Sequence, residues 1–180
     1  SYCATCDGAF FRNRTVAVVG GGNVALEDAL FLARGCSKVY LIHRRDELRG
    51  EKILQEQVKE TENIEILYSH QVSAIEGSGQ VTSVKLYDKK ADSTTDLTVD
   101  GVFIAVGIDP NTEIYRGLAE MDESGFISAG EDGVTSMPGL FAAGDLRTKQ
   151  LRQVITAAAD GANCVTSVER YLVTLHAKQD

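Results

Sequence analysis

The sequence predicts an α/β fold with a parallel sheet, on three observations. Residues 15–19, Thr-Val-Ala-Val-Val, form a short β-branched, apolar run that suits a strand buried on both faces. A helical pattern follows over 23–34, and a second apolar run, Lys-Val-Tyr-Leu-Ile-His, occupies 38–43. Strand, helix and strand within about thirty residues make a βαβ unit, whose strands lie parallel.

Each further element follows from its pattern. In the first helix Val24, Leu26, Ala29, Leu30, Leu32 and Ala33 supply a broad apolar stripe, and Gly35 provides a stop. A charged helix is expected over 51–60 with Ile53, Leu54 and Val58 facing inward, then a third strand over 64–68. Residues 81–87 and 96–99 read as two strands of a β-hairpin or meander with Lys89-Lys90-Ala91-Asp92-Ser93 as the polar tip. Residues 102–106 read as another buried strand, closed by Gly107. Gly107-Ile108-Asp109-Pro110-Asn111 is the candidate boundary, giving domains 1–110 and 111–180. Beyond it, short pieces alternate with glycine turns up to Leu140-Phe141-Ala142-Ala143-Gly144-Asp145, and a long helix is expected from about Arg152 to Leu175.

Composition narrows the function. At 180 residues, 43% hydrophobic and 24% charged, the chain has the make-up of a soluble globular protein of one large or two small domains. A net charge of -8 argues against general nucleic-acid binding, which wants a basic face. No apolar run approaches the ~20 residues that span a bilayer, and no secretory pattern opens the chain. A secreted disulfide scaffold would be shorter and richer in cysteine than this chain with four, so a catalytic pair in a reducing cytoplasm fits better. Cys36 and Cys164 are isolated and read as core fillers.

Gly20-Gly21-Gly22-Asn23-Val24-Ala25 matches G-x-G-x-x-G/A, between a strand and a helix, which is the context that gives the pattern meaning. Gly20 allows the turn, Gly22 lets backbone approach a pyrophosphate, and Ala25 keeps helix and strand close. The unit is therefore a Rossmann-like dinucleotide-binding module. An NAD site would carry a carboxylate at the end of the second strand; this chain has His43, Arg44 and Arg45 there, with Arg49 a turn later. Guanidinium groups fork onto a 2′-phosphate that a carboxylate would repel, so the expected cofactor is NADPH. The alternative is a solvated basic turn pairing with Asp46, Glu47 and Glu51.

Cys3-Ala4-Thr5-Cys6-Asp7-Gly8 holds two thiols spaced to close into a disulfide. Zinc is the competing use of that spacing, but His43, His70 and His176 are scattered and no second cysteine pair exists. In the redox use one thiol attacks an external disulfide and the other resolves the mixed disulfide. Asp7 is placed to act as acid or base for the departing thiolate, or equally to be a turn residue before Gly8. The individual roles of Cys3 and Cys6 stay open.

Four motifs, Cys3-Ala4-Thr5-Cys6-Asp7-Gly8, Gly20-Gly21-Gly22-Asn23, His43-Arg44-Arg45-Asp46 with Arg49, and Ala142-Ala143-Gly144-Asp145, stand in one order across the chain. In this the chain resembles the bacterial-type, low-molecular-weight thioredoxin reductases. The resemblance implies that residues 1–110 are an NADPH-binding domain carrying the redox cysteines and that 111–180 are the C-terminal part of an FAD-binding domain. It implies electron flow from NADPH through FAD to the cysteine pair and on to thioredoxin, in a cytoplasmic homodimer whose NADPH domain rotates between half-reactions. Asp145 would bind the ribitol or phosphate region of FAD, Arg152 and Gln153 would lie near the isoalloxazine, and Asn23 and Glu27 along the nicotinamide cofactor. The family's own FAD fingerprint would precede Ser1. The chain is thus expected to be a fragment, FAD-poor and inactive alone. Competing functions are a peroxiredoxin-reducing flavoprotein, which would use NADH and lack the basic triplet, and a non-catalytic NADPH-binding module.

Overall fold

A computed structural model of the chain describes residues 1–177. It divides into two compact units, Ser1–Gly107 and Ile108–Asp180.

The first unit opens with a one-turn helix α1 (Ala4–Asp7) and a 3₁₀ turn (Gly8–Phe11). Then follow β1 (Thr15–Gly20), α2 (Asn23–Ala33), β2 (Lys38–His43), α3 (Lys52–Glu60) and β3 (Ile64–Tyr68). Next come β4 (His70–Glu76), β5 (Ser83–Asp88), β6 (Ser93–Thr98) and β7 (Gly101–Ala105). Strands β3-β2-β1-β7 form a parallel sheet, and β4-β5-β6 an antiparallel meander. The parallel sheet has one core on each face, because alternate side chains of a strand point opposite ways. Val16 and Val18 of β1, with Val39, Leu41 and Phe103, pack against Leu26, Ala29 and Leu32 of α2 and Val58 of α3. Ala17, Ile42 and Val102 pack instead with Val84, Leu86 and Val99 of the meander region.

The α/β class holds, and the expected hairpin proves to be a three-stranded meander. β4 escapes a pattern search because its register with β5 shifts between Val72 and Ala74, which breaks the period-2 alternation. β6 begins three residues earlier than expected: in Ser-Thr-Thr-Asp-Leu-Thr, every residue but Leu97 is exposed. Two helix residues assigned to the core lie outside it: Val24 is 61% exposed and Ile53 57%. Val24 stands in the first turn of α2, at the open end of the sheet, and α3 buries only Val58 fully.

The second unit is mostly turns and isolated bridges, including Ile127 with Arg147 and Val134 with Phe141. It ends in the long helix α4 (Val154–His176), with Gln153 as its N-cap in a reciprocal capping arrangement with Thr156. Val154 and Ile155 open α4 at 89% and 76% exposure.

Candidate functional site: a glycine-rich crevice and a separate disulfide

From β1 the chain moves outward to β2 and β3, then returns to the other side of β1 as β7. That reversal leaves a crevice at the carboxyl ends of the strands, where open parallel sheets bind ligands. The crevice here has a volume of about 550 Å³ and is lined by Gly20, Gly21 and Gly22, the ends of β2 and β7, and residues 70–72 of β4.

Two glycines are required for different reasons. A Cβ on Gly20 would lie 2.3 Å from the Ala105 carbonyl and 2.7 Å from the Ala25 Cβ. Gly20 therefore lets β1, β7 and α2 close together, rather than simply permitting a turn. Gly22 has ordinary extended dihedrals, and a Cβ added to it would meet nothing of the protein within 4 Å. The fold does not demand glycine there, whereas a ligand approaching the backbone would. Gly22 is also the N-cap of α2 and offers no side chain, so the first N–H groups of the helix face the crevice without a side-chain cap.

The loop after β2 is latched to the glycine loop. Arg49 N and Gly50 N donate to Gly21 O at 2.7 and 3.1 Å. Asn23 and Glu51 exchange two hydrogen bonds, Asn23 Nδ2 to Glu51 Oε1 at 2.9 Å and Glu51 N to Asn23 Oδ1 at 2.8 Å. Asn23 thus braces the loop. Arg44, Arg45 and Arg49 are exposed, and Arg44 and Arg49 line the crevice while Arg45 stands outside it. Among the described residues none of the three is ion-paired, so the pairing with Asp46, Glu47 and Glu51 that a solvated basic turn would make is not formed. His43 differs from the arginines: the residue is 4% exposed and its Nε2 lies 2.9 Å from Glu47 O. Burial, with Arg49 and Arg45 nearby, holds its pKa below the usual imidazole range.

Cys3 and Cys6 are joined by a disulfide across α1. Cys3 is the N-cap, and Cys6 N donates to its Sγ at 3.1 Å. Cys6 is exposed, and Asp7 accepts from Ser1 Oγ at 2.6 Å. None of these three residues lines the crevice. The glycine loop and the disulfide belong to one unit, and the disulfide lies outside the crevice lining.

Residues 1–161 match the family model described as pyridine nucleotide-disulphide oxidoreductase. The chain belongs to that family. Within this pyridine nucleotide-disulphide oxidoreductase family it is 49% identical to a thioredoxin reductase of Coxiella burnetii, over 98% of this chain and 58% of the relative. It is 45% identical to a thioredoxin reductase of Listeria innocua, over 97% and 55%. A solved thioredoxin reductase from Streptococcus pyogenes superposes with a TM-score of 0.91 at 42% identity, covering 97% of this chain and 57% of that one. The chain spans a little over half the length of the relatives it matches. The resemblance carried by the four motifs is upheld.

In the second unit of this family member, Asp145 is exposed just after Gly144, whose φ is +82. The Arg152 guanidinium lies 4.2 Å over the Phe126 ring, and its Nε is buried with no hydrogen-bond partner. Gln153 caps α4. Sequence reasoning missed Asp160, which is 5% exposed and accepts from Arg147, Lys149 and Gly144 N. Its signal was one acid inside the small-residue run Ala157-Ala158-Ala159-Asp160-Gly161. It also missed Asp28, beside the exposed Glu27 on α2, whose pKa is raised to about 6 by burial and then by the Glu27 charge. No helix among the described residues is long and apolar enough to cross a membrane.

Proposed function

We propose that this chain is the NADPH-binding and disulfide-bearing part of a flavoprotein thioredoxin reductase, with residues 1–110 holding NADPH and the cysteine pair and 111–180 contributing to an FAD site. The observation that carries this is the separation of crevice and disulfide within one unit. Hydride transfer needs reacting atoms within about 3.5 Å. None of Cys3, Cys6 and Asp7 lines the crevice, which supports an intermediate carrier between a nicotinamide held there and the disulfide.

The residues present fit both groups. Gly22 leaves room for a pyrophosphate, the uncapped start of α2 suits its charge, and Arg44 and Arg49 stand free to take a 2′-phosphate. Asp145 is exposed for a ribitol or phosphate hydroxyl, the unpartnered Arg152 Nε has hydrogen-bonding capacity to offer, and Gln153 stands beside it. FAD, when bound, would accept two electrons from NADPH and release them to a disulfide. Cys3–Cys6 takes up those two electrons and two protons and becomes a dithiol. One sulfur then attacks the disulfide of oxidised thioredoxin, the other resolves the mixed disulfide, and Cys3–Cys6 re-forms as thioredoxin leaves reduced. Asp7 holds or moves the proton at the departing sulfur. Thioredoxin is the protein substrate and the full-length protein a cytoplasmic homodimer.

In the full-length enzyme the protein should be yellow, bleach with NADPH and recover colour with oxidised thioredoxin. Cys3→Ser and Cys6→Ser should each bleach normally but fail to pass electrons on. A colourless protein, or turnover by either variant, would overturn the proposal.

A further inference from the structure

Two histidines, His43 and His70, line the crevice, and His43 is the buried one. Its ring sits between two loops. Nε2 lies 2.9 Å from Glu47 O. The other edge packs on the glycine loop, where a Cβ on Gly21 would lie 2.3 Å from Nδ1, and a backbone hydrogen bond at Gly20 favours the charged ring. A neutral imidazole has one N–H and can donate to one of two acceptors; an imidazolium donates to both. The backbone groups at Glu47 and Gly20 therefore favour the charged ring.

What opposes the charge is burial first, then the positive charges of Arg49 and Arg45. The other groups around the ring do not supply a counter-charge. Arg44 lines the crevice beside it, Tyr68 is its register partner on β3, and His70 of β4 lines the same crevice. Of the nearby carboxylates, Glu51 is engaged with Asn23 and Asp88 lies 3.9 Å from His70, while Asp46 and Glu47 are exposed and the charges acting on the ring are those of Arg49 and Arg45. The ring is poised, and the missing component is a negative charge among the arginines.

We propose that His43 couples 2′-phosphate recognition to proton uptake: when NADPH or NADP⁺ binds, the His43 ring takes a proton from solvent, so that the preference over NADH or NAD⁺ sharpens as pH falls. This rests on reading the crevice as an NADPH site. A bound 2′-phosphate brings close to two negative charges near neutral pH. It cancels the field of Arg45 and Arg49 and adds attraction of its own, leaving desolvation as the only opposition. The protonated ring then donates to both loops and ties the glycine loop to the arginine-bearing segment. The sign follows. The midpoint is higher bound than free, so the added affinity is fully present below the free midpoint and is lost as pH rises through the bound one. The 2′-phosphate titrates in the opposite sense, since arginines drive its proton off, so the two contributions are told apart by observing the ring itself.

With three histidines in the sequence, ring NMR resolves each one, assigned with H43Q and H70N. The wild-type chain is titrated from pH 5 to 9 free, saturated with NADP⁺ and saturated with NAD⁺. The His43 midpoint should move upward with NADP⁺ and stay in place with NAD⁺. Each pH unit of movement corresponds to about tenfold in the NADP⁺-to-NAD⁺ affinity ratio across that window. Tighter binding of NADP⁺ with an unmoved His43 midpoint overturns the coupling and leaves the NADPH site standing. Equal affinity for NADP⁺ and NAD⁺ overturns the NADPH site, and the coupling with it. Because the measurement is made on wild-type protein, it stands even if H43Q fails to fold.

Discussion

Arg147 grips Asp160 through two parallel hydrogen bonds, Nε to Oδ2 at 2.9 Å and an NH2 nitrogen to Oδ1 at 2.6 Å, with both side chains buried. Lys149 Nζ adds a third contact at 2.7 Å and the Gly144 N–H a fourth at 2.9 Å. Asp160, on α4, thus holds residues 144–149, the backbone that presents Asp145. Arg147 in turn donates to Ala129 O and Thr148 O, which joins the segment at Ala129 to the loop that carries Arg147.

Asp160→Asn should therefore be severe. It removes the negative charge from beneath two buried cations, a situation that costs roughly 3–5 kcal/mol. The Arg147 hydrogen bonds hold the Asp160 carboxyl well below the ordinary carboxylate range. The stability it confers is present at neutral pH and is lost as pH falls below that range. Urea unfolding at pH 7 and pH 3 checks this: wild type and variant should differ strongly at pH 7, and the difference should begin to narrow at pH 3.

The two glycines predict contrasting variants. Gly20→Ala pushes a methyl group into the Ala105 carbonyl and the Ala25 side chain, both part of the sheet–helix packing. Overpacking of that kind costs roughly 1–3 kcal/mol. Gly22→Ala meets no protein atom and should leave the melting temperature unchanged. It should weaken NADPH and NADH alike, because it stands where the shared pyrophosphate would approach. Thermal melts and cofactor titrations on the two variants separate the roles.

The parallel sheet was legible because its strands are buried on both faces and read as unbroken apolar runs, as residues 16–19 and 39–42 do. β4 was not, since the shift at Val72/Ala74 removes the only periodicity a half-exposed strand offers. The glycine loop and the arginines were legible as residue types in a fixed order. Their division of labour was not: burial separates His43 from Arg44, and only the tertiary arrangement sets Arg45 outside the crevice. The Arg147–Asp160 pair spans 13 positions between a loop and a helix, and no local pattern links such residues.

Arg44 and Arg49 should carry most of the NADPH preference. A hydrogen bond to a charged group contributes about 1.5–3 kcal/mol, less what solvent screening removes at an exposed site. Arg44→Ala and Arg49→Ala should each weaken NADPH about tenfold or more and leave NADH nearly unchanged. Arg45→Ala should have the smaller effect. Titration of all three variants with both cofactors at fixed ionic strength checks the order, and equal losses for NADPH and NADH would contradict it.

Asp28 gives a pH dependence of opposite sign to Asp160. Burial raises its pKa to about 6, so the folded chain holds a proton there that the unfolded chain has released. Between the unfolded value, about 4, and 6, stability from this group falls as pH rises, and the cost remains above that range. Asp28→Asn removes the charge and with it the desolvation penalty. The side chain is only half-buried, so after allowance for solvent screening the gain at pH 8 should be about 1 kcal/mol or less. Urea unfolding of variant and wild type should nearly coincide at pH 4 and separate at pH 8, with the variant the more stable. A variant less stable at pH 8 would mean that the ionised carboxylate, not its protonated form, is what the fold around α2 requires.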